Sequence, residues 1–269
     1  MAIGSAGRRI STLLFFACSF ASAAAAQPTP LPAISTETET GFLTRSAWFL
    51  SFAGMKSGGP RFSWVARGRL DADLFSYDKG RINLLIDDEL VLGRERREFD
   101  FNHQNIILET SFSYRVASID VAAVFHHTSR HLIDRPADRV VAWHTLGGRA
   151  VRVFAIRQSS VAVSVEYERV VQRTYVDYAW TSQFAIRVDR PLHGGAHLFA
   201  SGGAALVGVD RGVVGRGGQD GARVEGGVHV PARRAGIDLF GAWERRIDGY
   251  PMAREPTSWL EVGFKLGTR

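Results

Sequence analysis

The stretch at 118–130, SIDVAAVFHHTSR, decides how the chain is read. Ile119, Val121, Ala123 and Phe125 fall on one parity, and Ser118, Asp120 and His126 on the other. A period of two belongs to a pleated strand, whose successive side chains point to opposite faces. The pattern returns along the chain. In 160–170, Val161, Val163, Val165 and Tyr167 oppose Ser164, Glu166 and Glu168; in 258–266, Leu260, Val262, Phe264 and Leu266 oppose Glu261 and Lys265. Stretches 105–115, 220–230 and 236–246 alternate in the same way, and none of comparable length carries a helical period.

A soluble sandwich also alternates, so strand length and turn length must separate the two cases. Many of these runs reach ten residues or more, close to the span of a tilted membrane strand. Tight turns are expected at 77–80, 115–118, 158–160, 191–195 and 231–236. Longer connections are expected at 90–104, 129–147, 209–219 and 247–257. Twelve strands result, beginning near residue 46. With both termini on the periplasmic side, every long loop falls outside and every short turn inside, the habit of outer-membrane barrels. The segment 191–209 carries no formal charge, but its five glycines make it a poor helix and a better barrel strand. Trp48, Tyr114, Tyr178, Trp180, Trp243 and Trp259 lie in or near strands, as the aromatic girdles of a barrel require. The fold class is therefore all-β, an antiparallel transmembrane barrel.

The N-terminus reads as an export signal. Arg8 and Arg9 precede an apolar stretch at 10–21, and Ala24-Ala25-Ala26 offers a small-residue cleavage site. The expected organisation is a signal peptide at 1–26, a periplasmic segment at 27–45 and the barrel at 46–269. The single cysteine, Cys18, lies within the signal, so a mature chain has no disulfide or thiolate chemistry. The formal charge of +6 falls by two when Arg8 and Arg9 leave, and no basic run resembles a nucleic-acid arm. The expected partners are outer-membrane lipids, reached from the cell outer membrane, and no nucleic acid; the sequence is silent on oligomeric state.

The polar end of the opening stretch carries the one chemical candidate. If the strand continues past Phe125, His127 and Ser129 project to the lipid side at its outer end. An imidazole beside a hydroxyl is the minimum for an activated serine nucleophile. His127-Thr128-Ser129 resembles the His-x-Ser element of outer-membrane phospholipase A and of PagL-type lipid A deacylases. The wider stretch 127–134 resembles an uncharacterised barrel family with a His-x-Ser-Ser-His-Leu-Gly-Asp signature, departing from it at Arg130 and Ile133. The resemblance implies acyl-ester hydrolysis, with an Asn or Glu about twelve residues after the serine orienting the histidine. Here that position is Val141, so Asp134 or Asp138 is the expected substitute. His126, Thr128 and Arg130 are expected to face the lumen, in a charge network with Asp120. No cofactor or metal is read from the histidines at 126, 127 and 131, and the glycine-rich 212–221 lacks the lysine of a phosphate loop. The alternative is a non-enzymatic barrel, a narrow channel or a structural protein, with a plugged, ion-paired interior.

Overall fold

The computed structural model describes residues 40–57, 59–136, 139–210 and 216–268. Twelve strands follow one another: β1 (Gly41–Lys56), β2 (Trp64–Tyr77), β3 (Gly80–Gly93), β4 (Asp100–Val116), β5 (Ile119–Leu132), β6 (Val141–Ile156), β7 (Ser159–Thr174), β8 (Tyr178–Pro191), β9 (His197–Val209), β10 (Gln219–Pro231), β11 (Gly236–Arg246) and β12 (Thr257–Gly267). Each pairs antiparallel with its neighbour in sequence, and β1 pairs with β12 from Phe49↔Gly267 to Lys56↔Leu260. The sheet is a closed barrel with no free edge. The expected signal at 1–26 lies outside the described residues. The barrel begins at Gly41 rather than at 46.

Strand count and topology match the alternation in the sequence. The turns at 78–79, 117–118, 157–158, 192–196 and 232–235 share one end of the barrel with the start of β1. Asp78, Ala117 and Arg157 take left-handed backbone there, as tight reversals demand. The connections after β1, β3, β5, β7, β9 and β11 lie at the other end; the one after β7, residues 175–177, is short, against the expectation that every short turn lies at the first end. The connections expected at 90–104 and 129–147 are shorter than that, because the strands run further: β5 reaches Leu132 and β6 begins at Val141.

Packing is inverted relative to a soluble protein. Leu50, Phe112, Val165, Phe184, Val262 and Phe264 point outward and are exposed. The girdles are partly as expected. Tyr77 and Tyr114 are exposed at the short-turn end, while Trp180 pairs with Tyr167 and Trp243 is exposed towards the long-loop end. Trp259 and Tyr178 depart from that expectation. Both have inward parity and are buried, Trp259 stacking on Phe62 and donating from Nε1 to Glu261 at 2.9 Å.

The inward parity carries charge, and the charges are paired. Arg67, Arg223, Arg246 and Lys265 face Glu89, Glu225, Glu244 and Glu261 in one continuous network, four cations against four carboxylates. Arg67 alone bridges Glu89 and, bidentate, Glu261 at 2.8 and 2.9 Å. The expected link between Asp120 and His126, Thr128 or Arg130 is not formed. Asp120 sits near the short-turn end and pairs with Arg115 and Arg81, whereas His126 and Arg130 lie further along β5 with other partners. Removing one member of a buried network strands the others, at a cost of about 3–5 kcal/mol. Glu261→Ala should lower the unfolding free energy in detergent by that amount, read from urea midpoints with intrinsic tryptophan fluorescence, while Val262→Leu on the lipid face should change it little.

Candidate active site

β5 does continue past Phe125, to Leu132, with unbroken register against β4 and β6. His127 and Ser129 therefore share the outward face with Phe125. Ser129 lies three residues from the end of β5, about 10 Å at a strand rise of about 3.3 Å per residue. The two side chains are separated by about 6.6 Å along the strand, a gap an imidazole can bridge by rotating about its Cβ. No hydrogen bond joins them in the described residues, and Ser129 is only 7% exposed, recessed between Ile106 on β4 and Ala142 on β6.

The residue facing His127 across the β5–β6 ladder is His144. Their ring centroids are 4.8 Å apart, inclined at 65°, and Phe125 lies 5.7 Å from the His144 ring on the other side. Beside this pair, β7 carries an extra residue. The register steps from His144↔Gln172 to Thr145↔Val170, leaving Val171 unpaired and outward. Such bulges bend a strand and re-aim nearby side chains.

The position at the spacing that the resemblance implies does not face His127. Val141 has inward parity and is buried among lumenal side chains, so no residue there could touch His127. Asp134 lies past the end of β5 in left-handed backbone; its carboxylate pairs with Arg97 at 2.9 Å and its carbonyl accepts from Arg96 at 2.7 Å. Asp138 lies outside the described residues. His144 is what the register supplies. It was hard to single out because the offset from strand to strand depends on the length of the β5–β6 loop, which composition does not fix.

Inside the barrel at this end, the loops form a lid. Arg216 donates to both oxygens of Asp177 at 2.6 and 2.7 Å and to both of Asp248 at 2.9 and 3.0 Å. Tyr178 donates its hydroxyl to Asp248 at 2.7 Å. Arg130, from the inward side of β5, donates to the carbonyls of Asp248 and Gly249 and to Asn105. Two arginines and two aspartates thus balance. Beneath them Trp143, Tyr178, Val207 and Ile247 pack together. Among the described residues these side chains and loops crowd the lumen at this end.

No protein-family model matches the chain, and no curated protein matches it. Its likeness is to solved structures. Outer-membrane phospholipase A from Escherichia coli superposes with a TM-score of 0.53 at 12% identity, covering 85% of this chain and 94% of that one. The calcium-bound dimer of the Salmonella typhi phospholipase gives 0.52 at 12%, covering 88% and 94%. An active-site mutant of the E. coli protein gives 0.54 at 13%, covering 84% and 91%. The chain has the fold of an outer-membrane barrel.

The lid has a pH signature. Burial alone would raise the Asp177 carboxyl, but the hydrogen bonds and charge of Arg216 hold it below the usual carboxylate range. A depressed carboxylate contributes stability that is present above its unfolded value and lost as pH falls through the folded one. The lid should therefore stay shut through neutral and mildly acidic pH and loosen only below the usual carboxylate range. Planar-bilayer recording should show a closed barrel at neutral pH, with Arg216→Ala conducting there.

Proposed function

We propose that the protein hydrolyses acyl esters of outer-leaflet lipids, with Ser129 as nucleophile and His127 as base. The observation that supports this most directly is the placement of both side chains on the lipid face near the outer end of β5. A substrate there need not enter the lumen: an acyl chain in the leaflet brings its ester to the depth of the rim. The neighbours described as phospholipases add support at the level of fold.

In this mechanism Ser129 Oγ attacks the ester carbonyl as its proton passes to His127. The tetrahedral intermediate collapses to an acyl-serine, and His127 returns the proton to the departing alcohol. Water, deprotonated by the same imidazole, then releases the fatty acid and restores Ser129. His127 needs one ring nitrogen facing Ser129 and the other held. A neutral His144 offers a ring acceptor from directly across the ladder. It takes the place first expected of Asp134 or Asp138. Arg97 and Arg139, on the loops before β4 and β6, lie at the rim where lipid phosphates would be met.

Ser129→Ala and His127→Asn should each lower fatty-acid release from phospholipid or lipid A micelles by on the order of 10³-fold or more, with heat-modifiable gel migration kept. His144→Ala should lower kcat at least tenfold with KM little changed. Wild-type protein that folds and releases no fatty acid from either lipid would leave a non-enzymatic barrel.

A further inference from the structure

Behind the outward pair, His126 stands on the lumenal side of β5 in a cluster that neither the lid nor the acyl-transfer reading uses. Its Nε2 is 2.7 Å from Glu109 Oε2. Its Nδ1 is 2.9 Å from Glu168 Oε1 and 4.0 Å from Glu166 Oε1. Arg149 clamps Glu109 with two hydrogen bonds and takes the other oxygen of Glu166. One donor atom each from His126, Glu166 and Glu168 lie within 4.8 Å of one another, all three residues buried.

Two observations distinguish this cluster from ordinary ion pairing. The first is an adjoining cavity of about 60 Å³, whose lining includes His126, Glu168, Thr145 and Thr181 and, on its other walls, Arg130 and Arg246. Thr145 is 2% exposed, lies in register with His126, and its hydroxyl has no hydrogen-bond partner. Glu168 Oε1 likewise has none beyond the ion-pair approach of His126. Buried polar atoms left unsatisfied beside a cavity call for a ligand or water.

The second is charge. The Arg67 network balances four against four, and the lid two against two. Here three carboxylates face Arg149 and a His126 ring that meets a carboxylate through each of its nitrogens, which leaves one negative charge in excess. A divalent cation that replaces the Nδ1 proton brings the sum to zero.

We propose that His126 Nδ1, Glu166 and Glu168 hold one divalent transition cation of the zinc class inside the barrel, with the Thr145 hydroxyl and cavity water completing its shell. The imidazole donor selects this class over calcium or magnesium, which take oxygen ligands. Binding exchanges the Nδ1 proton for the metal and releases it to solvent; Nε2–H continues to donate to Glu109. That carboxylate–histidine–metal relay fixes the tautomer and aims the lone pair inward. The cation ties β5 to β7 across β6, directly behind His127. The site stands whether or not the outward pair is catalytic.

The test is to refold the mature chain into detergent micelles with excess zinc, remove unbound metal by gel filtration, and measure metal per folded chain by mass spectrometry. One zinc per chain is expected. His126→Asn and Glu168→Gln should bind at least tenfold more weakly, while the double variant His127→Asn, His144→Asn should retain it. Cobalt-loaded wild type should show one imidazole nitrogen and otherwise oxygen ligands by X-ray absorption, which decides the matter even if a lumenal variant fails to fold. Wild type without stoichiometric metal, metal lost with the His127/His144 variant, or two imidazoles on cobalt would each overturn the site.

Discussion

A sheet in hydrocarbon has no water to satisfy an unpaired edge, and each orphaned backbone group there costs several kcal/mol. The β1–β12 ladder is therefore the contact on which everything else depends. Closing it fixes which parity of each strand faces lipid. It also forces every inward side chain into a shared, narrow interior. Twelve strands leave room for side chains but not for bulk water around each charge.

That confinement explains the lumen. Buried charge is tolerable only when paired and hydrogen-bonded, and the interior is organised as balanced networks: one around Arg67, one at the lid around Arg216. The networks also hold the shape. Arg67 joins β2 to β3 and β12, and Arg216 joins the loops preceding β8, β10 and β12. Gly147 shows how tight the wall is near the His126 cluster: a Cβ there would lie 2.0 Å from the Tyr167 carbonyl and 2.6 Å from the Glu168 Cα. The close approach of β6 and β7 that it permits accompanies the inward placement of Glu168.

The outward face of β5 ends, near the rim, in His127 and Ser129. The two histidines of consecutive positions serve opposite worlds. His127 turns to lipid beside His144, and His126 turns to carboxylates, because the pleat sends neighbours to opposite faces.

Strand number, face and topology were legible because period two is a local property that survives in composition: Ile119, Val121, Ala123 and Phe125 announce the lipid side without any knowledge of their neighbours. His127 and Ser129 could be placed on that side by the same rule. What could not be read was anything that depends on register between strands. Asp134 is held by Arg97, and His126 pairs with Glu109 and Glu168 rather than with Asp120. Register is set by loop length, by bulges such as that at Val171 and by the shear of a closed sheet. The sequence by itself determined which way each side chain points; only the closed tertiary structure decided which side chains meet.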